Sequence, residues 1–308
     1  MMDYFEILGW VIEDSLAAIC READVTREHV CECVRKHLQG LQHAYFDRSP
    51  TTPQIPYGDP MCRLAYLFRH VAIGADVCEE VMCQDGKVRD HVMRCARDRK
   101  EVRVCAFGGG PGTEQLAVCN WLEWNKSLPR RVVKVSCCVL DRVPEWAESV
   151  RGINNGIERY FRSEYGGNFM DWPALPQSQF FPVDIGDASS FVNLPGLFCG
   201  HDLYVLNYVV SEFKGQERAL ANALPKVFSA ADDEALFLFI DRYDTRTMGH
   251  AKSVAEDLGL EVVNEEALRG HVIDGSHQKE SLGLLLADVG ESPRTTADAF
   301  WIACSKGA

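Results

Sequence analysis

The segment Val102-Arg103-Val104-Cys105-Ala106-Phe107 runs directly into Gly108-Gly109-Gly110-Pro111-Gly112-Thr113-Glu114. A short apolar run, then glycines, then helix-forming residues predicts a buried strand, a tight turn and a helix start. Glycines at 108, 110 and 112 let the backbone turn sharply and approach a ligand with no side chain in the way, and the helix N-terminus adds exposed N–H groups. Two ligand classes are excluded by residue type. The dinucleotide fingerprint needs glycine or alanine where Thr113 stands, and the G-x-x-x-x-G-K-[ST] phosphate loop lacks its lysine. A G-x-G-x-G turn remains.

Other residues able to do chemistry close later apolar runs. Asp141, followed by Arg142, ends Cys138-Val139-Leu140, and an acid at a strand end can bind both hydroxyls of a ribose. Asn207 and Tyr208 end the run from His201, with Glu212 close behind, and Asp241-Arg242-Tyr243-Asp244 ends the run from Ala235. In a parallel sheet these ends share one edge, so Asn207, Tyr208, Glu212, Asp241 and Tyr243 are expected at the reacting centre. Of these, Asn207, Tyr208, Asp241 and Tyr243 are the catalytic candidates. The mixed charge after Ile240 suits a small zwitterionic or cationic substrate, which makes Arg242 and Glu212 candidate substrate contacts. His29, Cys31, Cys33 and His37 raise the question of a metal, but only 29, 33 and 37 share a helical face while Cys31 points nearly the other way. Zinc would need a fourth ligand from elsewhere, so no metal is expected.

Helices and strands must position these groups. Tyr4, Leu8, Val11, Ile12, Leu16 and Ile19 recur at helical spacing, and a second helix is expected from an N-cap at Thr26. The proline-rich stretch Ser49–Pro60 forbids regular helix, and Asp59-Pro60 is a good helix start, an N-cap carboxylate with proline at N1. Residues 1–98 therefore read as a helical cap or lid region. From 99 to 308 β-rich runs alternate with helical stretches: Val102–Phe107, Val132–Leu140, Phe180–Val183, Asp202–Asn207 and Ala235–Ile240, with a helix expected over Gln216–Ser229. The last two strands are expected near Leu282–Ala287 and Asp298–Cys304. Such alternation predicts an α/β fold with a mainly parallel sheet covered by helices on both faces.

The 308 residues carry 32 basic and 45 acidic side chains, a formal charge of −13, with the acids spread along the chain. That field repels extended phosphate backbones, so no DNA partner is expected. The start Met1-Met2-Asp3-Tyr4-Phe5-Glu6 has acids where a signal would need bases, and no apolar run reaches the roughly 20 residues that cross a bilayer. The expectation is a soluble cytoplasmic protein, with no membrane contact, most of whose thirteen cysteines are free thiols.

On the glycine turn, the acid after the second strand and the order of the later strands, the chain from about 101 to 305 resembles the class I, Rossmann-like S-adenosylmethionine-dependent methyltransferases. The resemblance implies a doubly wound, mainly parallel seven-stranded sheet with the last strand antiparallel. It implies that Phe107, Gly108, Gly109, Gly110 and Gly112 hold the donor, that Asp141 binds its ribose beside Arg142, and that Asp184 and Ile185 contact its adenine. Asn207 and Tyr208 match positions that touch donor or acceptor, and Tyr57 and Gly58 fall where helical extensions of the family cover the cleft. Two departures stand out. Ala106 replaces an acid that contacts the donor's amino group, and the stretch from Gly112 to Asp141, with Trp121, Trp124 and Pro129, is longer than usual. Asn207-Tyr208-Val209-Val210 is not the N-P-P-Y tetrad of enzymes that methylate nucleic-acid bases at an amino group. The function implied is methyl transfer to a small-molecule acceptor; transfer to protein or RNA, and donor binding without catalysis, are the alternatives.

Overall fold

The computed structural model describes residues 2–46, 55–125, 132–192, 194–213 and 216–307. Ser49–Gln54 of the proline-rich stretch and Pro129 lie outside the described residues. Five helices come first: α1 (Tyr4–Ala23), α2 (Arg27–Phe46), α3 (Pro60–Tyr66), α4 (Ala72–Gln84) and α5 (Gly86–Asp98). Asp3 caps α1 by accepting from Phe5 N–H, and Asp59 caps α3 by accepting from Met61 N–H, with Pro60 at N1. Between α3 and α4 the helix loosens into one π-turn, Leu67–Val71.

The remainder alternates β1 (Glu101–Phe107), α6 (Thr113–Trp124), β2 (Val133–Asp141), α7 (Trp146–Tyr165), β3 (Ala174–Pro182), β4 (Leu203–Asn207), α8 (Glu217–Ala223), α9 (Pro225–Ala230), β5 (Leu236–Arg242), α10 (Thr245–Asp257), β6 (Leu260–Val272), α11 (Gln278–Val289) and β7 (Thr296–Lys306). The strands form one sheet in the order β3-β2-β1-β4-β5-β7-β6. Neighbours from β3 to β5 are parallel, and β7 runs antiparallel to both β5 and β6. This is a doubly wound α/β sheet with its last strand reversed.

Two expected elements differ. Leu282–Ala287 is not a strand but the middle of α11, where Leu282, Leu285 and Val289 recur at helical spacing and are buried. The strand beside β7 is β6, an edge strand whose residues are largely exposed and which therefore lacks an apolar run. The helix expected over Gln216–Ser229 is two short helices, because Pro225 has no N–H to continue the first and instead starts the second.

One face of the sheet packs on the N-terminal helices. A single apolar core joins Phe5, Leu8 and Ile12 of α1 and Val71, Val77 and Val81 around α4 to Val104 of β1, Trp121 of α6 and Ile157 of α7. The other face is covered by α8, α9 and α10 around Phe107, Tyr204, Phe228 and Phe237. No helix among the described residues is long and apolar enough to cross a membrane.

Candidate functional site

The parallel strands bring their carboxyl ends to one edge, and the order reverses between β1 and β4, which is where a crevice opens in sheets of this kind. Gly108, Gly110 and Gly112 there have φ of 59°, 46° and 87°. Those left-handed values strain any side chain, and a Cβ on Gly108 would also lie 2.8 Å from the Val209 side chain. Gly110 N–H donates to Asp141 Oδ2 at 3.1 Å, and Val143 N–H donates to Asp141 Oδ1 at 2.9 Å. The carboxyl thus spans the turn from the end of β2. Burial pushes it up from the ordinary carboxylate range, opposed by those two N–H groups.

A small cavity of about 100 Å³ lies on the β2 side of Gly108, walled by Asp141, Arg142, Asp184, Ile185 and Glu212. Asp184 turns one oxygen to Gly186 N–H at 2.9 Å, and Ile185 is buried. Glu212 is solvent-exposed as a residue, and enclosure of its carboxyl at the cavity wall, with the Asp141 and Asp241 carboxylates adding to it, pushes it above the ordinary carboxylate range.

A larger cavity of about 490 Å³ opens on the other side of Gly108, walled near the turn by Thr113, Glu114, Asn207 and Tyr208. Glu114, in the first turn of α6, is 2% exposed. Asn207 Nδ2 donates to its Oε1 at 3.0 Å, while Glu114 Oε2 and Asn207 Oδ1 are buried with no hydrogen-bond partner. Burial pushes this carboxyl up to about 7. Tyr208 has φ of 60°, a rare conformation for a bulky residue, and burial raises its hydroxyl to about 12. The N-terminal helices supply the far wall through Tyr66, Arg69, His70 and Ile73, two of them on the π-turn, a helical irregularity common at functional sites. Burial, with Arg294, Arg69 and Arg242 next in effect, depresses His70 to about 3, so its imidazole is neutral at pH 7.

Among the expected residues, Gly108 borders both cavities; Asp141, Arg142, Asp184, Ile185 and Glu212 border the smaller; Gly109, Asn207, Tyr208, Arg242 and Tyr243 border the larger. Asp241 is not on either wall. It is fully buried, accepting from Ser211 N–H at 2.8 Å and Arg242 N–H at 2.7 Å, so it holds the turn after β4 against the end of β5. Phe107 is packed beneath the turn, with its ring 5.9 Å from that of Phe228. Tyr57 stands against Tyr66 and Trp146 at ring separations of 5.6 Å and 5.4 Å, and Trp146 backs Gly110. Glu114, His70, Arg69 and Arg294 were not expected. Glu114 carried a signal, since it lies two residues after the last glycine of the turn; the others come from distant segments.

The histidine–cysteine group on α2 does not converge. His37 Nε2 pairs with Asp59 Oδ2 at 3.0 Å, His29 lies 3.8 Å from Cys33 Sγ, and Cys31 is buried. A different trio, His91, Cys95 and Asp202, clusters near the opposite end of the sheet, but Asp202 is bonded to Arg99 and to Arg103 N–H there. A hollow of about 630 Å³ between α1, α3 and α7 is lined by groups that pair with one another, with Arg63 on Glu148 at 3.1 Å and Arg159 over the Trp10 ring at 4.3 Å.

No protein-family model and no curated protein matches the sequence. Among solved structures the chain is similar to an O-methyltransferase family protein from Burkholderia thailandensis, with 13% identity over 93% of this chain and 73% of that one and a TM-score of 0.49. It is also similar to mitomycin 7-O-methyltransferase, with 13% identity over 99% and 94% of the two chains and a TM-score of 0.38. A third is precorrin-6y C5,15-methyltransferase from Geobacter metallireducens, at 11% identity over 73% and 90% and a TM-score of 0.37. The fold assignment rests on the strand order and the reversed β7 described above.

Proposed function

We propose that the chain is an S-adenosylmethionine-dependent methyltransferase acting on a small molecule. The observation that carries this reading is the glycine turn at the switch point, with Asp141 bonded across it and a cavity on each side of Gly108. The residues present fit the donor. Asp141 uses one acceptor site on each oxygen, and a carboxylate has about four, so a pair of ribose hydroxyls can still be met. Asp184 and Ile185 offer the smaller cavity a carboxylate and an apolar face for a base. Ala106 gives no acid for an amino group, but Glu114 Oε2 is buried without a partner on the adjoining wall, and an ammonium group there would satisfy it.

When bound, S-adenosylmethionine supplies a methyl group on a sulfonium: an acceptor lone pair forms the new bond to carbon as the carbon–sulfur bond breaks, its electron pair remaining on sulfur. The chain's contribution is alignment and the exclusion of water. Asn207 and Tyr208 wall the larger cavity beside the turn and Tyr243 and Arg242 wall it further out, while Asp241 holds the backbone that carries Tyr208 and Arg242. A cavity of about 490 Å³ has the size of a small-molecule site, which favours this reading over a protein or RNA acceptor. Thirteen free thiols suit a reducing cytoplasm.

Calorimetry with S-adenosylmethionine tests the donor. The wild-type chain is expected to bind, and Asp141→Ala to bind about tenfold more weakly or worse, as loss of charge-assisted hydrogen bonds implies. Donor carrying a labelled methyl group, incubated in fractionated extract, then identifies the acceptor. Absence of donor binding, or an Asp141→Ala variant that binds like wild type, overturns the proposal.

A further inference from the structure

Beside the glycine turn, the wall of the larger cavity presents two buried acceptors that nothing satisfies. Asn207 Nδ2 donates to Glu114 Oε1 at 3.0 Å, which leaves Glu114 Oε2 and Asn207 Oδ1 buried without a partner. Both residues line the cavity, Glu114 from the first turn of α6 and Asn207 from the end of β4. Unpaired acceptors in an interior are costly, and two on a bonded pair of side chains call for one group with several N–H donors. An ammonium group has three, and its charge favours the ionised form of a carboxyl beside it. Position selects which ammonium. A donor whose adenosine occupies the smaller cavity, with its ribose on Asp141, must carry its amino-acid end across Gly108 to the wall that holds Glu114 and Asn207. There β1 brings Ala106, fully buried under the turn, where a Cβ on Gly109 would lie 2.8 Å from the Ala106 Cβ.

We propose that Glu114 and Asn207 hold the donor's ammonium group and that Glu114 gives up a proton as the donor enters, so that occupancy of the site rises with pH. The inference rests on the methyltransferase reading for the identity of the ligand. On binding, the O–H bond of the Glu114 carboxyl breaks, its electron pair stays on the carboxylate to accept from an ammonium N–H, and the proton passes to solvent. In the empty site burial, opposed by Glu114's own N–H and by Asn207, pushes the carboxyl up to about 7, so about half of the chains hold the proton near pH 7. The titratable groups that feel its charge are Cys78 of α4 and Cys137 of β2, buried thiols raised well above their ordinary value and uncharged at pH 7. α7 and β3 meet this end of α6 through Asn154 and Ser178, both bonded to Gln115. Across the cavity stand neutral His70, the phenols of Tyr66, Tyr208 and Tyr243, and the ionisable Arg69, Arg242, Arg294 and Asp298, none of which offsets the burial of Glu114.

Calorimetry on the full-length chain with two adenosyl thioethers tests this. S-adenosylhomocysteine carries the amino-acid end, and 5′-methylthioadenosine shares its adenosine but lacks that end, so the difference between them reports the larger cavity and cancels any titration at Asp141 or Glu212. From about pH 8 to about pH 6, S-adenosylhomocysteine should lose about tenfold in affinity and 5′-methylthioadenosine distinctly less. Near pH 7, in buffers of different ionisation enthalpy, S-adenosylhomocysteine should release about half a proton per molecule bound. Glu114→Gln should bind S-adenosylhomocysteine at about pH 8 no better than wild type does at about pH 6, release no proton, and bind 5′-methylthioadenosine as wild type does. A parallel pH dependence for the two ligands, or a Glu114→Gln variant with wild-type affinity for S-adenosylhomocysteine at about pH 8, overturns the inference and leaves the methyltransferase reading standing. Failure of both ligands to bind overturns both.

Discussion

A carboxyl group 2% exposed, with one oxygen bonded to Asn207 and the other to nothing, is costly to ionise, and Glu114 is such a group. Its value rises from 4.5 to about 7, which fixes the sign of its effect on stability. Below pH 4.5 it is neutral in the folded and unfolded chains alike; as pH rises toward 7 the unfolded chain ionises first and the folded state loses ground. The full loss is on the order of 3 kcal/mol for a shift of this size. Glu114→Gln removes it, so urea unfolding at about pH 4.5 and about pH 7.5 should show a flatter stability profile in the variant by that order. Equal profiles for variant and wild type would mean that Glu114 is ionised in the fold. Residues such as this also mark the limit of what spacing along the chain can reveal. The glycine turn and Asp141 were legible because each sits at the end of its own apolar run, and the edge they share is a consequence of parallel strands. Arg69, His70 and Arg294 come from a π-turn and a loop more than two hundred residues apart, and no spacing in the chain joins them.

At the scale of elements, helix contacts set which glycines are required. A Cβ on Gly9 of α1 would lie 2.6 Å from the Ser281 carbonyl oxygen of α11, a backbone atom that cannot rotate away. Gly9→Ala should therefore force α1 and α11 apart and destabilise by about 1–3 kcal/mol, as overpacking does. Gly40 of α2 is exposed, and nothing lies within 4 Å of its added Cβ, so Gly40→Ala should stabilise by about 0.5–1 kcal/mol through helix propensity alone. Thermal unfolding of the two variants checks the opposite signs; two shifts of the same sign would contradict the close α1–α11 packing. The misread pair α11 and β6 belongs to this scale as well. Leu282-Gly283-Leu284-Leu285-Leu286-Ala287 is too short an apolar run for its period to separate strand from helix, and only its packing on α1 and α2 selects the helix. β6 is the converse: an edge strand with register shifts at Val262/Asn264 and Leu268/His271 has no steady alternation to detect.

For the whole molecule, the relation between residues 1–98 and the sheet decides whether the first five helices are a detachable cover or part of the fold. They share one apolar core with β1, β2, α6 and α7, and buried polar bonds cross the same boundary. Glu79 of α4 accepts from Tyr4 Oη, from Trp124 Nε1, and from Asn120 Nδ2 at 2.7 Å, while Met2 N–H donates to Asn120 Oδ1 at 3.0 Å. Asp85, before α5, accepts from Asn264 Nδ2 at 2.8 Å and from Trp301 Nε1 at 3.3 Å, which ties the N-terminal helices to β6 and β7. Removing residues 1–98 would bare the apolar face of the sheet and of α6 and leave Asn120, Trp124 and Trp301 without these partners. Each buried polar group so stranded costs about 1–3 kcal/mol, and a domain's net stability is only about 5–15 kcal/mol. A chain of residues 99–308 should therefore lack a cooperative thermal transition and near-ultraviolet dichroism and should bind hydrophobic dyes, whereas the full chain should melt in one transition. A cooperative, dye-free 99–308 fragment that still binds S-adenosylmethionine would make the helices a true lid. Arg69 and His70 argue the other way, because they build the far wall of the larger cavity from within those helices, so that cavity exists only where both parts of the chain are folded together.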